Sequence, residues 1–107
     1  MHRALILGLL VACHGKADSH ASCGTVASNF LTLAKAELAR AQSDEATQRA
    51  NNDQLPAMRD SLAAACTDGG WSGEVRDCLA GATDHTAFEA CEHALTAEQR
   101  TALGSGK

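Results

Sequence analysis

The chain carries five cysteines but only three aromatic side chains, and this combination limits what it can fold into. Phe30, Trp71 and Phe88 are the only large rings, and much of the 45% apolar content is alanine. Alanine favours helix yet buries little area. At 107 residues the chain makes one small domain, so its core is thin and needs a covalent or metal staple to stay folded. The cysteines are the obvious supply.

The amino-terminal segment decides how many of them are available. Met1-His2-Arg3 is a short positive start, Ala4 to Ala12 is an unbroken run of apolar residues and one glycine, and polar chain follows directly. This is the shape of a signal peptide. Nine helical residues rise about 14 Å, roughly half the hydrocarbon thickness of a bilayer, so the run is too short to serve as a spanning anchor.

The run ends in Leu10-Val11-Ala12-Cys13, which resembles the lipobox of bacterial lipoproteins. The resemblance implies a diacylglycerol thioether on Cys13, cleavage just before it, and acylation of the new amino terminus. Each buried methylene contributes about 0.8 kcal/mol and stable anchoring takes two chains, so such a Cys13 would hold the protein at the membrane. His14 follows the cysteine, where the family commonly uses aspartate for inner-membrane retention, so the outer membrane is the expected address. The expected organisation is a signal segment at 1–12, the lipidated Cys13 with a small, polar, flexible tether at 13–21, a helical domain at 22–103, and a frayed tail at 104–107. A second reading stays open. Ser19-His20-Ala21 also satisfies the small-x-small rule for ordinary signal cleavage, which would release a secreted protein beginning at Ser22. Both readings export the domain to a compartment where disulfides form.

Cys23, Cys66, Cys78 and Cys91 then remain, an even number in a small exported domain, and two disulfides are expected. Helical periodicity orders them. Cys23, Ala27, Phe30, Ala34, Leu38 and Ala41 keep a 3.6-residue period, so a long helix runs from an N-cap at Ser22 to about Ala41, and at most to Ala50. Gln42 to Asp53 is polar and forms either a solvated extension or the turn. Asp53 is the expected cap of a second helix with Pro56 in its first turn; Leu55, Met58, Leu62, Ala65 and Cys66 share its inner face, and Asp68-Gly69-Gly70 stops it. A third helix begins at Ser72 with Val75, Cys78, Leu79 and Ala82 on one face. Asp84 caps a fourth with Phe88, Cys91 and Leu95 inward. Thr96-Ala97-Glu98-Gln99 is a capping box opening a short last turn through Leu103. The expected fold is all-α: two disulfide-stapled antiparallel helical hairpins, four helices plus a C-terminal turn. Those hairpins favour Cys23–Cys66 and Cys78–Cys91, with Cys66–Cys78 and Cys23–Cys91 as the rival pairing.

Two further resemblances carry less. Trp71-Ser72-Gly73-Glu74 with its flanking cysteines is similar to four-cysteine helical lipoproteins, a likeness that transfers no active site. Leu95-Thr96-Ala97-Glu98-Gln99-Arg100 resembles the Leu-Thr-x-x-Gln signature of periplasmic stress chaperones and their metal-responsive relatives. It occurs once here, and it doubles as an ordinary helix start.

Catalytic chemistry has little to draw on. Lipidation and two disulfides would leave no free thiol as a nucleophile. Glu89, Glu92 and Glu98 form an acidic helical face, and Gly69-Gly70 lacks a phosphate-loop context. His85, Cys91 and His93 fall on different helical faces, so no metal site is expected, and no cofactor is expected either. A formal charge of −4, with no basic stripe interleaved with aromatics, argues against nucleic acid. Trp71, the only tryptophan and beside a Gly-Gly turn, is expected to cap the core between the hairpins, and it is also the one candidate binding-surface residue. The sequence thus reads as a non-enzymatic envelope protein, with the membrane reached through a lipid anchor and another envelope protein as candidate partners. The alternative function is a periplasmic metal or stress sensor.

Overall fold

The computed structural model describes residues 19–105. The expected signal segment at 1–12, Cys13, the expected tether up to residue 18 and residues 106–107 lie outside the described residues. Every regular element among the described residues is a helix: α1 Cys23–Arg40, α2 Glu45–Gly69, α3 Gly73–Gly81, α4 His85–Glu92 and α5 Ala97–Ser105. The fold is all-α, with five helices among the described residues rather than the expected four and a turn. What reads in sequence as a last turn is a helix of 9 residues that runs to Ser105, past the point where fraying was expected.

Side-chain caps start the helices. Ser22 Oγ accepts the Thr25 amide, Ser72 Oγ the Val75 amide and Asp84 Oδ1 the Ala87 amide. At α5 the capping box is reciprocal: Thr96 Oγ1 accepts the Gln99 amide at 3.1 Å while Gln99 Oε1 accepts the Thr96 amide at 2.9 Å.

The second helix departs most from expectation. It begins at Glu45, with Asp44 as N-cap holding the Thr47 amide at 2.7 Å, so Asp53 lies inside the helix and caps nothing. Pro56 is interior rather than in the first turn. Interior proline costs about 3 kcal/mol because it removes a donor and crowds the preceding turn. Asn52, whose carbonyl Pro56 cannot serve, and Pro56 itself are both exposed, so the defect sits on the wet side of the helix. The turn before α2 is correspondingly short. Gln42 takes a left-handed conformation with φ 55°, and Gln48 Nε2 donates to the Leu38 carbonyl, closing the end of α1.

α2 ends in a Schellman motif. Gly70 is left-handed at φ 60°, its amide donates to the Thr67 carbonyl, and the Trp71 amide reaches back to the Cys66 carbonyl. This turn drives Trp71 into the core.

The core joins Val26 of α1, Leu62 and Cys66 of α2, Trp71, Val75 and Leu79 of α3, Phe88 and Cys91 of α4, and Leu95. α1 is central, packing on α2, α3 and α4, while α5 packs on α2. Cys23–Cys66 ties α1 to α2 and Cys78–Cys91 ties α3 to α4, with Cα–Cα separations of 5.7 and 5.8 Å. The rival pairing is not formed. In the chain-entropy model, closing these loops stabilises by about 4 and about 3 kcal/mol, comparable to the whole stability of a small domain.

Candidate functional site

Trp71 offers no binding surface. It is only 4% exposed, because the Schellman turn at Gly70 folds it inward onto Cys66. Its indole Nε1 is buried without a hydrogen-bond partner and lies against Gly69, where a Cβ would come within 3.0 Å of it. The ring is a packing element, contributing area rather than a polar contact.

The histidines stand apart. His85 Nε2 pairs with Glu89 Oε2 at 3.3 Å along α4, and His93 is exposed beyond the end of that helix. Among the described residues no group of three or more His, Cys, Asp or Glu side chains is placed to hold a metal ion. Thr96 and Gln99 of the chaperone-like signature act locally as a helix cap, and Gln99 Nε2 also donates to the Gly69 carbonyl at 3.0 Å, fastening α5 to the end of α2.

Two features are assembled from residues that sequence patterning does not bring together. The first is a clasp on α3. The Ala21 amide donates to Asp77 Oδ1 at 2.7 Å, and His20 Nδ1 lies 2.7 Å from Asp77 Oδ2. Arg76 Nη1 donates to the Ala21 carbonyl at 2.7 Å while its Nε reaches the Trp71 carbonyl. The His20 ring lies so close to Gly73 that a Cβ there would overlap it. The Ala21 amide, and then His20, hold the Asp77 carboxyl below its ordinary value of 3.8. The end of the expected tether is therefore hydrogen-bonded to the domain. On the other side of α3, Asn29 of α1 donates from Nδ2 to the Leu79 and Ala82 carbonyls, closing the end of that helix.

The second feature is an apolar groove of about 860 Å³ between α2 on one side and α4 and α5 on the other. Phe30, Met58, Leu62, Phe88 and Leu103 supply its apolar lining, and Asp53, Glu92 and Arg100 supply charge. The Phe30 and Phe88 rings are 6.0 Å apart at a tilt of 53°. A smaller hollow of about 320 Å³ shares Phe30, Gln54 and Met58 with it and runs past Leu38 and Leu55. Pockets of this size with mostly apolar walls and few polar groups are the usual form of ligand sites.

Met58 was expected inward beside Leu55 and Leu62, yet it is 48% exposed. At 100° per residue it sits about 60° off the line through Leu55, Leu62 and Cys66. That offset is the one sequence signal for the groove.

Compared with protein-family models, curated proteins and solved structures, the chain matches none. The two disulfides fit an oxidising, extracellular-type compartment. No helix among the described residues is long and apolar enough to cross a membrane.

Proposed function

We propose that this chain is an exported bacterial lipoprotein, anchored through an acylated Cys13, whose helical domain works by binding another envelope component and not by catalysis. In this reading the domain is a pair of disulfide-stapled antiparallel hairpins, α1 with α2 and α3 with α4, closed by α5, and the outer membrane is its address. The carrying observation is the cysteine pairing. Cys23–Cys66 and Cys78–Cys91 use four of the five cysteines, and the fifth, Cys13, ends the apolar leader.

The clasp favours lipidation over ordinary secretion. Cleavage after Ala21 would remove His20 and Ala21 from Asp77 and Arg76, and would set a new cationic amine beside the Arg76 guanidinium. Cleavage before Cys13 keeps all these contacts.

The intact mass of the native, membrane-extracted protein tests the reading. A mass equal to residues 13–107 plus acyl groups, less four hydrogens, is expected. A mass beginning at Ser22, or a cytoplasmic pool with free thiols, overturns it.

A further inference from the structure

The two disulfides differ in what a reductant can reach. Cys66 is 1% exposed and Cys23 is partly buried, so their bridge lies within the packing of α1 on α2. In the second bridge Cys91 is buried at the core, but Cys78 is exposed on α3. A disulfide opens when a thiolate attacks one sulfur and expels the other, so access to a sulfur governs the rate. Cys78 offers that access in the folded state. The helices also depend unequally on their staples. Of the α4 side chains only Phe88 and Cys91 are buried, so one of that helix's two core anchors is the bridge itself. α2 keeps Leu55 and Leu62 in addition to Cys66. Phe88 and Glu92 of α4 form part of the groove wall.

We propose that Cys78–Cys91 is a redox switch, opened from the Cys78 side by a protein dithiol, that frees α4 and its wall of the groove while Cys23–Cys66 keeps α1 on α2. One thiolate of the dithiol bonds to Cys78 Sγ, and the electron pair of the broken S–S bond leaves with Cys91 as a thiolate that takes up a proton. The second thiol of the dithiol, on losing its proton, attacks the mixed disulfide, forming the dithiol's own disulfide and releasing Cys78, which is protonated in turn. Two electrons and two protons thus pass from the dithiol to the bridge. Re-oxidation reverses both steps and docks α4 again. The switch does not depend on the lipid anchor.

Trapping experiments on the native oxidised protein test the switch, with any free thiol first blocked by N-ethylmaleimide. Glutathione is the first probe, since a monothiol leaves its mixed disulfide in place; the reaction is stopped early with iodoacetamide. Cys78 and Cys91 share the tryptic peptide 77–100, whose fragment ions assign each modification. Glutathione is expected on Cys78 with the acetamide group on Cys91, and this bridge is expected to open at least about tenfold faster than Cys23–Cys66. Dithiothreitol, a dithiol, then opens the bridge fully, and hydrogen exchange is followed by mass spectrometry. The α4 amides are expected to exchange at least about tenfold faster than in the oxidised protein, while those of α2 stay within about threefold. The double variant Cys78→Ala, Cys91→Ala is expected to show the same pattern without reductant. Glutathione on Cys91, opening of Cys23–Cys66 at an equal or faster rate, or exchange in α4 that rises no more than in α2 overturns the proposal.

Discussion

The Trp71 amide donates to the Cys66 carbonyl at 3.2 Å, joining the chain's single indole to one half of the α1–α2 disulfide across a two-glycine turn. The bond requires Gly70 to be left-handed, since only then does the chain reverse sharply enough to return Trp71 to the core. Gly70→Ala introduces a Cβ into that conformation. No neighbour lies within 4 Å, so the penalty is conformational alone. Thermal unfolding should report a loss of about 1 kcal/mol; an unchanged Tm would remove the Schellman turn from the account.

Trp71 itself separates packing from polar contact. Because its Nε1 has no partner, Trp71→Phe gives up no hydrogen bond and should be far milder than Trp71→Ala, which costs about 3–5 kcal/mol by leaving a cavity. Urea denaturation of the two variants provides the comparison. Equal losses would mean that the indole N–H is bonded after all.

The two disulfides should differ in effect. Their sequence separations are 43 and 13, so replacing Cys23 and Cys66 by alanine should cost about 4 kcal/mol and replacing Cys78 and Cys91 about 3 kcal/mol. Burial points the same way, since Cys66 is at the core while Cys78 is exposed. The order of the two midpoints in urea is the readout, and a reversed order would contradict the chain-entropy account.

The clasp predicts an acid-range release of the segment before α1. Asp77 is held below its ordinary value by the Ala21 amide and then by His20, so it contributes stability that is complete above about pH 4 and lost as pH falls through its lowered value. Asp44, lowered by the Thr47 amide, acts with the same sign at the start of α2. The Ala21 amide resonance should therefore show a transition in the acid range, below about pH 4, as Asp77 is protonated. In Asp77→Asn that acid transition should vanish from Ala21 while the Thr47 amide still shows it. Persistence of the acid transition at Ala21 in Asp77→Asn would place control elsewhere.

Local signals were legible without a structure. Ser22, Ser72, Asp84 and the Thr96/Gln99 box announce helix starts because a cap needs only its own next three residues. Asp44 was equally local but was obscured by Pro56, whose usual place in a first turn made Asp53 the better-looking cap. A proline is admitted deep in α2 because its unserved carbonyl belongs to an exposed residue, and exposure is set by packing.

Composition and periodicity by themselves determined that the chain is helical, that its thin core needs staples, and which cysteine pairs two hairpins would favour. Those follow from the intrinsic preferences of alanine, the 3.6-residue repeat and the capping residues, all properties of neighbours in sequence. Tertiary structure alone decided that Asn29 closes α3, that His20 and Ala21 are clasped by Arg76 and Asp77, and that a groove lies between α2, α4 and α5 beside Met58. Each of these joins residues distant in the chain, so each depends on how the helices pack.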